Sequence, residues 1–293
     1  MNDEMKVYLY PNLSKLHCRE YVTDAYEILK KNGVRASMNL KYTQEFSHLK
    51  GMEFGEGEEL IPGCDMIIAV GGDGTILKCA NKAARFGKPI LGINCGRLGF
   101  MASLEHSQLE LLKQLCHGQY HISRRMMLKA VEKKSGQCFN ALNDVVVSRS
   151  DDCKISDFQV SKDRQLVSSL RANGVIFSTP TGATAYSMSA GGPIIEPDME
   201  CIEFTQICPH SLFARSMIFS AGSCITVKCH TSDNAHVCLN VDGNIVHKLS
   251  DGDEVVISRS ELSLDIIDLS DGSFFSSVNS KLMRPLKGSS EGI

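Results

Sequence analysis

Five apolar residues without a charge among them, Met66-Ile-Ile-Ala-Val70, run straight into Gly71-Gly72-Asp73-Gly74-Thr75. A helical stretch from about Ile76 to Arg85 follows, and then a second apolar run, Pro89-Ile-Leu-Gly-Ile93. At this length and without polar alternation, both apolar runs read as buried strands. Strand, helix and strand in that order form a β-α-β unit, which commits the chain to parallel strands covered by helices. The glycine turn falls at the carboxyl end of the first strand, where open parallel sheets place their ligands.

Three glycines in five residues let a backbone approach phosphate oxygens closely, and the helix that follows adds the positive end of its dipole. The spacing is neither that of a Walker loop nor that of the Gly-x-Gly-x-x-Gly dinucleotide fingerprint. An aspartate between the glycines can accept a proton from a substrate hydroxyl, hold a magnesium ion, or simply cap the helix. The first two roles suit phosphoryl transfer.

The β-α-β unit is embedded in a first third that alternates strand and helix signals. Val7-Tyr-Leu-Tyr reads as a strand, and Leu16, Val22, Ala25, Ile28 and Leu29 recur at helical spacing up to a stop at Asn32-Gly33. Ser107 with Glu110 has capping-box spacing for a helix that ends near Gly118. Beyond Gly118 short strands dominate: Leu128 to Glu132, Phe139 to Val147, and hairpin turns at Lys162-Asp-Arg164, Asp242-Gly-Asn244 and Asp251-Gly-Asp253. One helical interruption is expected after Thr179-Pro180. The expected organisation is an α/β domain over 1–118, a β-rich domain over 119–269, and a tail, 270–293, that returns to the first domain.

Composition narrows the function classes. With 31 basic and 34 acidic side chains the formal charge is -3, so no general attraction to nucleic acid or anionic membrane is built in. No stretch approaches the roughly 20 apolar residues of a membrane span, and the start lacks the features of a signal peptide, so a cytoplasmic location is expected. The 12 cysteines form no Cys-x-x-Cys pair and read as reduced, mostly buried thiols without structural zinc.

The segment Gly174-Val-Ile-Phe-Ser-Thr-Pro-Thr-Gly-Ala-Thr-Ala-Tyr-Ser-Met-Ser-Ala-Gly-Gly-Pro193 closely resembles the long signature of the NAD kinase family. Gly71 to Thr75, Gly92-Ile-Asn-Cys-Gly-Arg-Leu-Gly-Phe100, Ala141-Leu-Asn-Asp-Val145 and Ile207-Cys-Pro-His-Ser-Leu212 resemble other family segments, in family order. The resemblance implies a Rossmann-like parallel sheet followed by an antiparallel β-sandwich, with the site between the two domains. It implies a kinase that transfers the terminal phosphoryl group of ATP, or of another donor, to the 2'-hydroxyl of the adenosine ribose of NAD, giving NADP.

By that resemblance Asp73 accepts the proton of the 2'-hydroxyl and Gly74 is its phosphate-side neighbour, while Gly71, Gly72 and Thr75 belong to the same phosphate-binding turn. Asn143 and Asp144 match the pair that binds the adenosine part of NAD; by chemistry Asn143 suits an adenine edge and Asp144 the ribose hydroxyls. The dinucleotide site is further expected to include Lys78, Lys154, Arg171 and Asn173. Thr184, Ala185, Tyr186, Ser187, Met188 and Ser189 complete it, with Asn244 where the family often has glutamine. Two departures are visible: Asn173-Gly174 replaces the usual Asp-Gly and removes a charge, while Asn143-Asp144 replaces Asn-Glu and shortens the acid by one methylene. A magnesium ion is expected with ATP, its protein ligands not readable from sequence, and a homodimer or homotetramer is implied. A lipid kinase of the diacylglycerol or sphingosine type shares the Gly-Gly-Asp-Gly turn but leaves the Thr179 to Pro193 signature without explanation. A non-catalytic NAD(P) sensor is the rival from another class.

Overall fold

Hydrogen bonding extends the β-α-β unit into a larger parallel sheet. The computed structural model describes residues 4–96, 99–102, 104–149, 155–211, 214–230, 237–269 and 274–282. The chain divides into two units, one of residues 1–123 with 265–293 and the other of residues 124–264.

In the first unit β1 (Lys6–Pro11), β2 (Arg35–Asn39), β3 (Glu53–Gly55), β4 (Met66–Val70) and β5 (Ile90–Ile93) run parallel in the order β3-β2-β1-β4-β5. Ile266 and Ile267, near the end of β17 (Glu254–Asp268), pair in parallel with Ile90 and Leu91 and extend this sheet beyond β5. All five residues of β4 are buried, as an apolar strand covered on both faces requires. Helix Cys18–Lys31 buries Val22, Ala25 and Leu29 and closes at Asn32 and Gly33, the latter at φ 76°. Leu16, which the helical spacing included, lies ahead of that helix and is 76% exposed.

Two further expectations are corrected. The helix after the glycine turn begins at Asp73 rather than near Ile76, because the amides of Thr75 and Ile76 already turn back onto the carbonyl of Gly72. The segment His106–His117 is wound as a 3₁₀ helix, and its reciprocal cap is Glu105 with Gln108, not Ser107 with Glu110. Glu105 is extended and so can turn its side chain onto the third helical amide, whereas Ser107 already lies inside the helix.

The second unit is antiparallel. One sheet has the order β13-β12-β11-β8-β15-β16, built from β8 (Asp144–Arg149), β11 (Gly174–Ser178), β12 (Cys201–Ile207), β13 (Met217–Ser220), β15 (Val237–Val241) and β16 (Asn244–Leu249). The other contains β9 (Ser156–Lys162), β10 (Gln165–Ala172), β14 (Ile225–His230) and the first part of β17, with β6 (His121–Glu132) and β7 (Cys138–Ala141) attached. Val145, Val147, Phe177 and Phe204 of the first sheet share one core with Phe158, Val160, Val227 and Ile257 of the second, which makes the unit a sandwich. The continuous strand expected from Phe139 to Val147 is broken at Leu142-Asn143. The amides of Leu142, Asn143 and Asp144 bond a side chain about a hundred residues away instead of continuing one ladder.

Candidate active site

The turn after β4 is conformationally a glycine site. Gly71 has φ 156° and Gly72 φ 125°, and a Cβ on Gly71 would collide with the Thr75 hydroxyl. Thr75 is itself buried and its Oγ1 accepts from Asn12 Nδ2 at 3.3 Å, so its side chain braces the turn. Gly74 and Lys78 are exposed on the helix that follows.

Asp73, the first residue of that helix, aims its carboxylate at the segment after β5. Oδ2 accepts the Phe100 amide at 2.6 Å, and Oδ1 accepts those of Met101 and Ala102 at 3.0 and 2.9 Å. An ionised carboxylate offers about four lone-pair positions, so three are occupied and Oδ2 retains one. Gly99 is required beside it, since a Cβ there would fall inside the van der Waals envelope of the Asp73 carboxylate. Asp73 is the one acid in the turn, and its oxygens are largely committed to amides. Such a turn fits a magnesium ion brought in on nucleotide phosphates, and does not form a carboxylate cage that would hold one resident.

In the second unit Asn143 and Asp144 form a tightly held corner. Thr179 donates its amide to Asn143 O at 2.9 Å and its hydroxyl to Leu142 O at 2.6 Å, while the Gly182 amide donates to Thr179 Oγ1 at 3.1 Å. A Cβ on Gly182 would clash with Asn143 O, so the Thr-Pro-Thr-Gly turn can lie against this corner only with glycine there. From the other side Asp242, at φ 49°, accepts the amides of Leu142, Asn143 and Asp144 at 2.9, 2.8 and 3.2 Å.

What the corner presents is chemically unusual. Asn143 Oδ1 is buried and has no hydrogen-bond partner among the described residues, a state that costs about 1–3 kcal/mol and that a ligand donor would relieve. Burial, reinforced by the charge of Asp242, pushes the Asp144 carboxyl up to about 7. Asp242 is raised by burial as well, against the pull of its three amides.

The segment after the turn divides into supporting and exposed groups. Tyr186 is 47% exposed and Ser189 is exposed, while Thr184, Ala185 and Met188 are partly buried. Ser187 is fully buried and donates to Thr205 Oγ1 at 3.0 Å, which in turn donates to Glu203 Oε1 at 3.1 Å. Glu203 Oε2 has no partner among the described residues, and burial raises this carboxyl. Ser187 therefore anchors helix Tyr186–Ser189 from below, whereas Tyr186 and Ser189 point outward.

The other candidates are placed as follows. Arg171 is exposed and pairs with Asp157 at 3.1 Å. Asn173 is exposed, with its backbone in the ladder to Ile207 and Arg149. Asn244 is exposed in the hairpin turn and donates to Asp242 O at 3.2 Å. Lys154 lies outside the described residues. The structure thus brings Asn143, Asp144 and the Thr179 to Gly182 turn together, and it adds Asp242 and Glu203. Asp242 was visible in sequence only as a hairpin residue, and Glu203 carried no distinguishing signal in a strand that also holds Thr205 and Gln206.

Two family models match the chain: the ATP-NAD kinase N-terminal domain over residues 12–120 and the ATP-NAD kinase C-terminal domain over residues 142–269. A protein named NAD kinase from Natranaerobius thermophilus is 36% identical over 280 residues, covering 94% of this chain and 96% of the relative. Another from Desulforamulus reducens is 40% identical over 228 residues, 76% of this chain and 79% of the relative. Among solved structures, yeast NADH kinase complexed with NADH is similar at a TM-score of 0.85 and 24% identity, covering 100% of this chain and 91% of that one. An NAD kinase from Archaeoglobus fulgidus in complex with ATP is similar at a TM-score of 0.72 and 25% identity, covering 94% and 97%.

Proposed function

This chain belongs to the NAD kinase family and acts as an NAD kinase, and from that premise we propose that it moves the terminal phosphoryl group of ATP to the 2'-hydroxyl of the adenosine ribose of NAD, with Asp73 as the proton acceptor. The observation that carries this reading is the Asp73 carboxylate itself, held by three amides at the start of a helix with one Oδ2 position left over. A ribose hydroxyl is a poor nucleophile. A carboxylate fixed in orientation can take its proton as the new bond to phosphorus forms, an effect of about 10²- to 10⁴-fold. The positive end of helix Asp73–Arg85 favours the phosphates, while the Gly71 amide is held by the Ile93 carbonyl at 2.8 Å and fixes the turn.

In the second unit, Asn143 Oδ1 accepts from the adenine amino group and the Asp144 carboxylate from ribose hydroxyls. Tyr186 offers an exposed ring face, and Ser189 and Asn244 offer polar contacts, with Lys78, Lys154 and Arg171 supplying positive charge toward phosphates. The NADH in the yeast relative and the ATP in the archaeal one support a dinucleotide acceptor and a nucleotide donor. Magnesium enters with ATP, bound mainly by phosphate and water, and neutralises phosphate charge.

The protein works in the cytoplasm as a homodimer or homotetramer; no helix among the described residues is long and apolar enough to cross a membrane. Exposed apolar residues on edge strand β13, Met217 at 37% and Ile218 at 53%, support self-association.

The test incubates the purified protein with ATP, magnesium and NAD and follows NADP with an NADP-specific dehydrogenase. NADP formation that collapses in Asp73→Asn is expected. A thermal shift with NAD but no NADP would identify a sensor instead, and phosphorylation of a lipid alcohol in place of NAD would identify a lipid kinase.

A further inference from the structure

We propose that Asp242 is a positioning residue for NAD: its carboxylate, by holding the amides of Leu142, Asn143 and Asp144, fixes the corner that presents Asn143 Oδ1 and the Asp144 carboxyl. The proposal rests on the reading that Asn143 and Asp144 bind the adenosine part of NAD.

The geometry supports more than a turn contact. Asp242 is separated from the corner by about a hundred residues, and its two oxygens take three consecutive amides at 2.8 to 3.2 Å. Three successive amides turned toward one carboxylate cannot also continue a strand, which is why the backbone kinks between β7 and β8. The kink has a consequence for the side chains. It leaves Asn143 Oδ1 buried without a partner among the described residues, and it places Asp144 at the start of β8, buried opposite Ser178 of β11. Asp242 Oδ1 serves both Asn143 and Asp144, so one atom sets the orientation of both candidate ligand residues.

Among the described residues the charged neighbours of Asp144 are few. Asp242, from the turn after β15, is the ionised group that acts on it. Across the sheet the row runs from Asp144 to neutral Ser178 and then to the buried carboxyl of Glu203, itself raised by burial. Since all three bonds to Asp242 are donated by amides, its ionised form is the one they favour, and the proton of the pair resides on Asp144. A carboxyl that must be ionised to accept from ribose hydroxyls makes NAD binding weaken as pH falls through the region of about 7.

The test uses Asp242→Asn and Asp242→Gly in the full chain, since both residues tolerate the positive φ of this position. Both variants are expected to fold, to raise KM for NAD by about tenfold or more with a smaller change in kcat, and to move the acid limb of the KM profile to lower pH. Loss of three charge-assisted bonds accounts for the first effect and loss of repulsion for the last. An unchanged KM, or a raised KM with an undisplaced pH profile, overturns the proposal. Loss of the folding transition in both variants overturns it too, by making Asp242 a support of the whole sheet. Asn143→Ala separates the two levels: if it leaves KM for NAD unchanged, the underlying reading fails, whatever Asp242 does.

Discussion

Asp73 Oδ2 lies 2.6 Å from the backbone nitrogen of Phe100, so the candidate base is also the anchor of the loop that follows β5. Both functions depend on the same two oxygens, and substitutions should separate them.

Asp73→Asn is expected to lower kcat by about 10²- to 10⁴-fold with little change in KM for ATP, measured by steady-state NADP formation. An amide NH₂ facing donor amides also loosens the loop. Gly99→Ala provides the control, because it displaces the carboxylate sterically while leaving its chemistry intact. A kcat in Gly99→Ala equal to that of the native chain would show that the orientation of Asp73 is irrelevant.

Asp144→Asn should trade activity for stability. Burial raises this carboxyl to about 7 in the folded protein, above its unfolded value near 3.9. The folded state therefore holds the extra proton, and native stability declines as pH rises from about 4 through 7. The asparagine variant escapes that decline. Its melting temperature should exceed the native one at pH 8, with the difference vanishing near pH 4, while its KM for NAD rises. Melting curves across that range, read beside KM, check both halves.

Glu203→Gln and Glu203→Leu test the buried network beneath Ser187. Burial raises the Glu203 carboxyl, so the neutral amide should match or exceed native stability, increasingly so as pH rises. Leucine removes the Glu203 acceptor of the Thr205 hydroxyl, to which Ser187 donates, and should cost about 1–3 kcal/mol in denaturant unfolding. Equal stability of the two variants would mean that the network contributes nothing.

Thr179→Val removes the hydroxyl that bonds both Leu142 O and the Gly182 amide while keeping the side-chain shape. It should lower stability by about 1–3 kcal/mol and raise KM for NAD, because the Asn143 corner loses its second clamp. A calorimetric titration with NAD that returns native affinity would argue against that coupling.

Much of the local structure was legible in the chain. Strand β4, the glycine turn, the helix after it and β5 follow from apolar runs punctuated by glycine, and the hairpins at Asp163 and Asp242 follow from turn residues that tolerate positive φ. Errors came where a competing contact overrode the local pattern. Phe139 to Val147 reads as one strand, yet Asp242 interrupts it. Ser107 with Glu110 has cap spacing, yet Glu105 precedes it with an extended backbone and takes the role.

The sequence by itself determined the elements and the identity of the chemistry-bearing residues, because periodicity, turn propensity and motif spacing act over a few neighbouring residues. Only the tertiary structure decided what those residues touch. Asp73 meets amides 27 to 29 positions away, and Asp242 meets amides 98 to 100 positions away. Burial, which raises the Asp144 carboxyl and leaves Asn143 Oδ1 without a partner among the described residues, is a property of the packed sheets, and no local pattern encodes it.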